Sequence, residues 1–574
     1  MVKLEGTAVS QGIAAGKVYI YRPSSCIVEE GHFPQEEKEA RLAEFDAAVK
    51  KAAEELAEVI QKMRETGDDK AEIIEAHLEI LEDEEMAEEI HGAIADELLF
   101  PDCAVKKVYD KYIALLGNIE DSLFQERVAD MRDVSGRILR VLQGKKAQDL
   151  SALPGPSIIA AHDLLPSDTA TMDKRNVLGI VTEIGGMTSH SAILARSYKI
   201  PAVLGVPSLL DTLKEGEECI LDALEGCIYS SPEVELKQEF EDKRKCYLDS
   251  MNKAEHYLEQ EGLLSDGQKI EIGLNIGSDQ WCEEYRYCDF VGLFRSEFLY
   301  MHSSHMPSEE DQYKAYIRVL KHAAGKPVTL RTLDIGGDKT LSYYSLPKEE
   351  NPFLGKRALR LCFAEPELFK TQLRAALRAS AEGRLNLMFP MVGSLEDIRK
   401  AREAVEEAKE ELRQERVPFD ENIKLGIMIE IPSIAEIAEL AAKEVDFASV
   451  GTNDLTQYLH AADRMNADVC AYYQSFSPSV FRVLRRIAGA FREAGKPLSV
   501  CGELGGNPKA AVVLAGMGMT KMSMSGANMA RVKQALSAFT FEEAVQIAEA
   551  VCGLGSQEEV LEYIGRVFKE KDII

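Results

Sequence analysis

From about residue 262 onward, strand-like and helix-like segments alternate eight times, and this count restricts what the chain can fold into. The strand candidates are Lys269–Ile276, Phe290–Arg295, Val328–Asp334, Leu385–Met391, Leu425–Ile431, Phe447–Thr452, Leu498–Gly502 and Lys521–Ser525. Each is a short apolar run, and stretches of helical periodicity separate them. Eight strands in roughly 310 residues match the size and rhythm of a (β/α)8 TIM barrel. An open doubly wound sheet is the competing reading, and it usually has about five or six strands.

The 574-residue chain is too long for one core, so the remainder must supply further domains. Two short β-like runs, Lys3–Ser10 and Gly16–Tyr21, occupy the first 30 residues. From 34 to 143 glycine is rare, and apolar residues such as Leu42, Phe45, Ala48, Val49, Ala52 and Leu56 recur at helical spacing. This predicts a helical bundle with breaks near Gly67–Asp68 and Phe100–Pro101. After Leu153-Pro154-Gly155-Pro156 the strands Ser157–Ala161, Leu178–Glu183 and Ala202–Gly205 alternate with short helices, and a hairpin over Glu218–Ser230 turns at Gly226. The expected multidomain α/β organisation joins 1–30 to 145–230 as one small α/β domain, with the helical domain 31–144 inserted. A charged linker helix over 231–261 and the barrel over 262–574 complete it.

The formal net charge of −30 argues against nucleic-acid binding through a general basic surface and leaves room for a basic protein partner. No apolar run approaches the roughly 18 residues of a membrane span, so no membrane insertion is expected. The N-terminal MVKLEGTAVSQGIAAGK lacks a signal-peptide core, and the 11 cysteines form no C-x-x-C pair. The expected location is the cytoplasm.

Chemistry-bearing residues concentrate in two places. In GGMTSHSAILAR, Gly185 and Gly186 permit a sharp turn, Thr188 and Ser189 are candidate N-caps, and His190 stands where a helix begins. Unbonded N–H groups at a helix start favour an anion. The barrel strands, meanwhile, end in Arg295, Arg331, Glu430, Asn453-Asp454 and Cys501, with Arg357 in the loop after the third strand. Active sites of such barrels lie at the strand C-termini. Guanidinium forks suit phosphate and carboxylate oxygens, and paired carboxylates suit magnesium. An isolated thiol such as Cys501 is placed where it can protonate a reacting carbon.

GGMTSHSAILAR together with GLFRSEFLY (292–300), TLDIGGDK (332–339), NPFLGKRALR (351–360), GIMIEIPS (426–433), SVGTNDLTQY (449–458) and SVCGELGGNP (499–508) resembles enzymes that exchange phosphate between phosphoenolpyruvate and a histidine. The segment order and the inserted helical region resemble the Enzyme I family of the sugar phosphotransferase system, over essentially the whole chain. The resemblance implies that His190 is the phosphohistidine in a swivelling domain and that Cys501 protonates the enolate to give pyruvate. It implies that Arg295, Arg331, Arg357, Asn453, Asp454 and Arg464 bind substrate. Glu430 and Asp454 are implied as ligands of Mg2+. The partners it implies are phosphoenolpyruvate, pyruvate, the carrier protein HPr on the helical domain, and a second copy of the chain through the barrel. Lys356 departs from the family, where an aromatic residue is common.

His190 and the barrel arginines belong to different domains, so the phosphohistidine domain must swing, with the helix at 233–260 as hinge. Acidic clusters at Glu65–Asp69 and Leu81–Glu85, with His77 between them, are candidates for attracting a basic carrier. A dikinase, which also uses a phosphohistidine and a barrel, needs a nucleotide-binding domain before the histidine. Here the preceding residues are mostly helical and acidic and carry no glycine-rich nucleotide loop.

Overall fold

The computed structural model describes the chain apart from residues 1, 23–27, 29–30, 66–70, 118–121, 146–149, 151–152, 165–167, 170–171, 187–188, 302, 304, 337–340, 342, 345–348, 465, 467–468 and 574. It divides into two compact units, Met1–Leu248 and Asp249–Ile574.

In the first unit, strands β1 (Val2–Glu5), β2 (Thr7–Ser10), β3 (Ile13–Tyr21), β4 (Ser157–Ala161), β5 (Val177–Thr182), β6 (Ala202–Leu204), β7 (Glu218–Asp222) and β8 (Cys227–Ser230) form one sheet. Its order is β1-β8-β7-β3-β4-β5-β6-β2, so strands on either side of the helical insertion become neighbours. β3 pairs in parallel with β4, with Lys17 opposite Ser157 and Tyr21 opposite Ala161. The first expected run, Lys3–Ser10, is two strands, because Gly6 interrupts it where an added Cβ would meet the Leu204 carbonyl oxygen and the Val206 side chain. At the tip of the β7–β8 hairpin, Gly226 has φ of +73°, a conformation that favours glycine.

Between β3 and β4 the chain forms helices Lys38–Glu65, Ala71–Leu81, Glu84–Glu97, Pro101–Gly117 and Ser122–Leu142. Phe45, Ala48, Ala52 and Leu56 are buried, as their spacing predicts. The break at Asp83 was not anticipated: its carboxylate accepts from Met86 N at 2.8 Å and caps a new helix. The Gly67–Asp68 break lies outside the described residues. His77 is buried, with Nε2 at 3.0 Å from Asp130 Oδ1 and Nδ1 at 3.8 Å from Asp133 Oδ2. It belongs to the bundle interior rather than to an acidic surface.

The charged helix runs from Val234 to Glu255. Phe240 on its first half is buried in a cluster with Ile13 and Ile220, and Lys243 pairs with Asp222 at 2.6 Å.

The second unit contains β9 (Glu271–Ile276), β10 (Phe290–Arg295), β11 (Val328–Arg331), β12 (Leu385–Phe389), β13 (Lys424–Ile429), β14 (Phe447–Val450), β15 (Leu498–Val500) and β16 (Lys521–Met524). All eight pair in parallel, and β16 pairs with β9 to close the barrel. The (β/α)8 expectation is borne out and the open sheet is excluded. One continuous core of strand and helix side chains surrounds the barrel wall. Among the described residues no helix is long and apolar enough to cross a membrane.

Candidate active site

At the C-terminal edge of the barrel the strand order brings together residues far apart in sequence. Arg295 is the last residue of β10 and its side chain is exposed. Arg331 is the last residue of β11 and is buried. Asp334, three residues further on, reaches Arg331 Nη1 at 2.9 Å with one oxygen and Arg357 Nη2 at 2.9 Å with the other. Glu297 also pairs with Arg331. Burial works against the Arg331 charge, but Asp334 and then Glu297 outweigh it and hold the guanidinium protonated. Arg357 immediately precedes helix Ala358–Ala364, and the Phe353 ring lies 5.5 Å from its guanidinium carbon and 6.0 Å from that of Arg464. Lys356 points to other partners, Glu365 at 3.4 Å by its ammonium and Glu349 at 2.8 Å by its backbone N–H.

Glu430 follows β13 and is 1% exposed. Its Oε1 accepts from Met391 N at 2.6 Å. Burial, then the negative charges of Asp454 and Asp334, push its carboxyl up to about 8. A carboxylate crowded in this way favours a cation. Asn453 and Asp454 lie in the first turn of helix Thr452–His460. Asn453 Oδ1 accepts from Glu503 N at 3.0 Å, and Asp454 Oδ1 accepts from Arg464 Nη1 at 2.7 Å. Gly451 and Gly502 let these turns approach: a Cβ on Gly502 would fall 1.9 Å from Thr452 Oγ1, and one on Gly451 2.8 Å from Glu430 Oε2.

Cys501 follows β15, is 3% exposed, and directs Sγ to the Val450 carbonyl oxygen at 3.6 Å. Burial raises its thiol to about 11, and Glu430, Arg331 and Arg295 all act on its charge. The thiol therefore shares one electrostatic environment with the arginines and the carboxylate.

Glu430 and Asp454 suit a hard divalent cation such as Mg2+ by their oxygen chemistry and by the mutual repulsion that raises Glu430. Among the described residues no group of three or more His, Cys, Asp or Glu side chains forms a ready-made metal cage. A cation on two carboxylates needs further oxygens from substrate and water, which is the usual habit of magnesium.

His190 lies in the first unit and opens the helix His190–Ser197. Ser189 is its N-cap, accepting from Ala192 N at 3.3 Å and donating to the Gly186 carbonyl oxygen at 2.9 Å. Gly185 has φ of +112°. Thr188, the other candidate cap, and the His190 side chain lie outside the described residues.

Sequence reasoning did not assign Glu297, Asp334 or Phe353 to this site. The available signal was a carboxylate two or three residues beyond an arginine at a strand end, which places an anion beside the cation it steadies.

Three family models match the chain: "PEP-utilising enzyme, N-terminal" over residues 5–127, "PEP-utilising enzyme, mobile domain" over 153–226, and "PEP-utilising enzyme, PEP-binding domain" over 251–541. The phosphoenolpyruvate-protein phosphotransferases of Bacillus sp. (strain S) and Geobacillus stearothermophilus are each 40% identical over 568 residues, 98% of this chain and 98% of theirs. That of Bacillus subtilis (strain 168) is 38% identical over 572 residues, 99% of this chain and all of its own. A solution structure of an Enzyme I protein is 38% identical, covers 42% of this chain and 99% of its own, and has a TM-score of 0.39. With near-full-length relatives of one description and three matching models in sequence order, the chain belongs to the PEP-utilising enzymes, among the phosphoenolpyruvate-protein phosphotransferases.

Proposed function

We propose that this chain takes the phosphoryl group of phosphoenolpyruvate onto His190, releases pyruvate, and passes the group to a histidine of the carrier HPr, the first step of phosphotransferase-system sugar uptake. The observation that carries this reading is the meeting of Arg331, Asp334 and Arg357 with Glu430, Asp454 and the buried Cys501 thiol at one end of the barrel.

Arg295, Arg331 and Arg357 hold the phosphoryl oxygens, while Asn453 and Arg464 orient the rest of the substrate. The bond from phosphorus to the enol oxygen breaks and a bond to an imidazole nitrogen of His190 forms. The enolate carbon takes a proton from the Cys501 thiol, which burial keeps protonated at neutral pH. Solvent then restores the thiol proton. Mg2+ on Glu430 and Asp454 would add positive charge against the phosphoryl and enolate oxygens. The crowding of Glu430 supports this, because the negative charges of Asp454 and Asp334 push its carboxyl up and a bound cation would relieve that repulsion. An anionic substrate adds negative charge that a divalent cation offsets.

His190 is in the first unit and the arginines are in the second. The relay therefore requires His190 to travel between the barrel and the carrier, with the helix Val234–Glu255 as the proposed hinge. Residues 31–144 serve as the carrier-docking domain, residues 1–30 and 145–230 as the phosphohistidine domain, and the barrel as the dimer contact. A cytoplasmic location agrees with the free state of every cysteine among the described residues.

Pyruvate release tests the reading. With phosphoenolpyruvate and Mg2+ alone, a burst of one pyruvate per chain is expected, and added HPr should convert it to steady turnover. A strict requirement for ATP would overturn it in favour of dikinase chemistry.

A further inference from the structure

Behind the strand ends lies a fully buried polar network that the proposed chemistry does not use. Its centre is Gln372, on helix Pro366–Ser380, with no solvent exposure. Gln372 Oε1 accepts from the backbone N–H of Leu333 at 2.8 Å. Its Nε2 donates to Ser296 Oγ at 3.0 Å and to the Tyr316 hydroxyl at 3.3 Å. The Tyr316 hydroxyl in turn donates to Gln312 Oε1 at 2.9 Å, and Gln312 Nε2 donates to the Pro307 carbonyl oxygen at 3.1 Å. Ser296, Tyr316 and Leu333 are themselves almost completely buried.

The two turns that Gln372 joins are those of the phosphate-binding arginines. Ser296 immediately follows Arg295, and Leu333 lies between Arg331 and Asp334, the carboxylate that bridges Arg331 and Arg357. A backbone N–H beyond the end of a strand has no ladder partner of its own there, and a buried donor must be satisfied by something. One rigid amide, held from behind by Tyr316, meets that need at β11 and ties the β10 turn to it. We propose that Gln372 is a positioning residue for phosphoryl binding: it sets the separation between Arg295 and the Arg331–Asp334–Arg357 group. This rests on the reading that those arginines hold the phosphoryl oxygens.

Two small ligands separate this role from general support of the fold. Phosphoglycolate carries a phosphate and a carboxylate, whereas oxalate copies only the carboxylate and enolate oxygens and depends on the metal carboxylates. With Mg2+ present, Gln372→Leu should raise the dissociation constant of phosphoglycolate about 10–100-fold. That of oxalate should stay within about threefold, because Glu430 and Asp454 follow other strands, β13 and β14. Gln372→Glu should recover part of the phosphoglycolate affinity, since a buried, protonated carboxyl keeps one acceptor and one donor. Should Gln372→Leu fail to fold, Ser296→Ala removes one anchor only, and a smaller loss confined to phosphoglycolate is expected. Equal weakening of both ligands, or no weakening of phosphoglycolate in a folded variant, would overturn the positioning role. Failure of the unmodified protein to bind phosphoglycolate would instead count against the arginines as phosphate ligands.

Discussion

Asp334 holds Arg357 through a hydrogen bond of 2.9 Å from Nη2, and both residues are almost entirely buried. Its second oxygen pairs with Arg331 at the same distance, so a single carboxylate spaces two guanidiniums. Removing it leaves two buried cations short of counter-charge. Asp334→Ala should therefore cost about 3–5 kcal/mol of stability, read from denaturant unfolding. It should also remove phosphoenolpyruvate-dependent pyruvate release. A stable Asp334→Ala protein with normal release would show that the spacing is unimportant.

Cys501 should behave as a protected thiol. Burial lifts it from the ordinary 9.0 to about 11, while Cys246 is exposed. Iodoacetamide at pH 8 should alkylate Cys246 and leave Cys501 intact, as peptide mass mapping would reveal. The folded chain keeps this proton to higher pH than the unfolded chain, so the thiol adds no pH dependence well below pH 9. Stability then falls as pH climbs from 9 towards 11. Rapid modification of Cys501 at pH 8 would contradict its assignment as the proton donor.

Magnesium should act through Glu430. Adding Mg2+ should raise the thermal midpoint of the protein, because binding to the folded state alone stabilises it. Glu430→Gln removes the carboxyl that a bound cation would hold ionised and should abolish that rise together with pyruvate release. An unchanged response to Mg2+ would place the cation elsewhere.

His77 should matter for the bundle and not for the carrier. It is 1% exposed and lies between Asp130 and Asp133. His77→Ala should cost about 1–3 kcal/mol by leaving buried polar partners unsatisfied. The concentration of HPr giving half-maximal turnover should not change, since the ring is not on the surface. A stable variant with impaired carrier use would reverse this.

The eight barrel strands were legible because each is a short apolar run with clear punctuation, and local pattern decides such elements. The cap at Ser189 was legible for the same reason, since capping is a local hydrogen bond. Gln372 was not legible: a buried glutamine within a helical pattern has no local signal, and its partners Ser296 and Leu333 lie 76 and 39 residues away. His77 misled because charged neighbours in sequence suggested a surface, whereas its aspartates come from the helix Ser122–Leu142. The break at Asp83 was missed because the acidic run masked a capping aspartate.

His190 should be the residue that carries the phosphoryl group. After incubation with phosphoenolpyruvate and Mg2+, the protein should show an acid-labile phosphorus–nitrogen signal by phosphorus NMR, at one group per chain. His190→Gln should lack that signal while still binding phosphoglycolate. A full signal in His190→Gln, or phosphate mapped to another residue in the unmodified chain, would contradict the account.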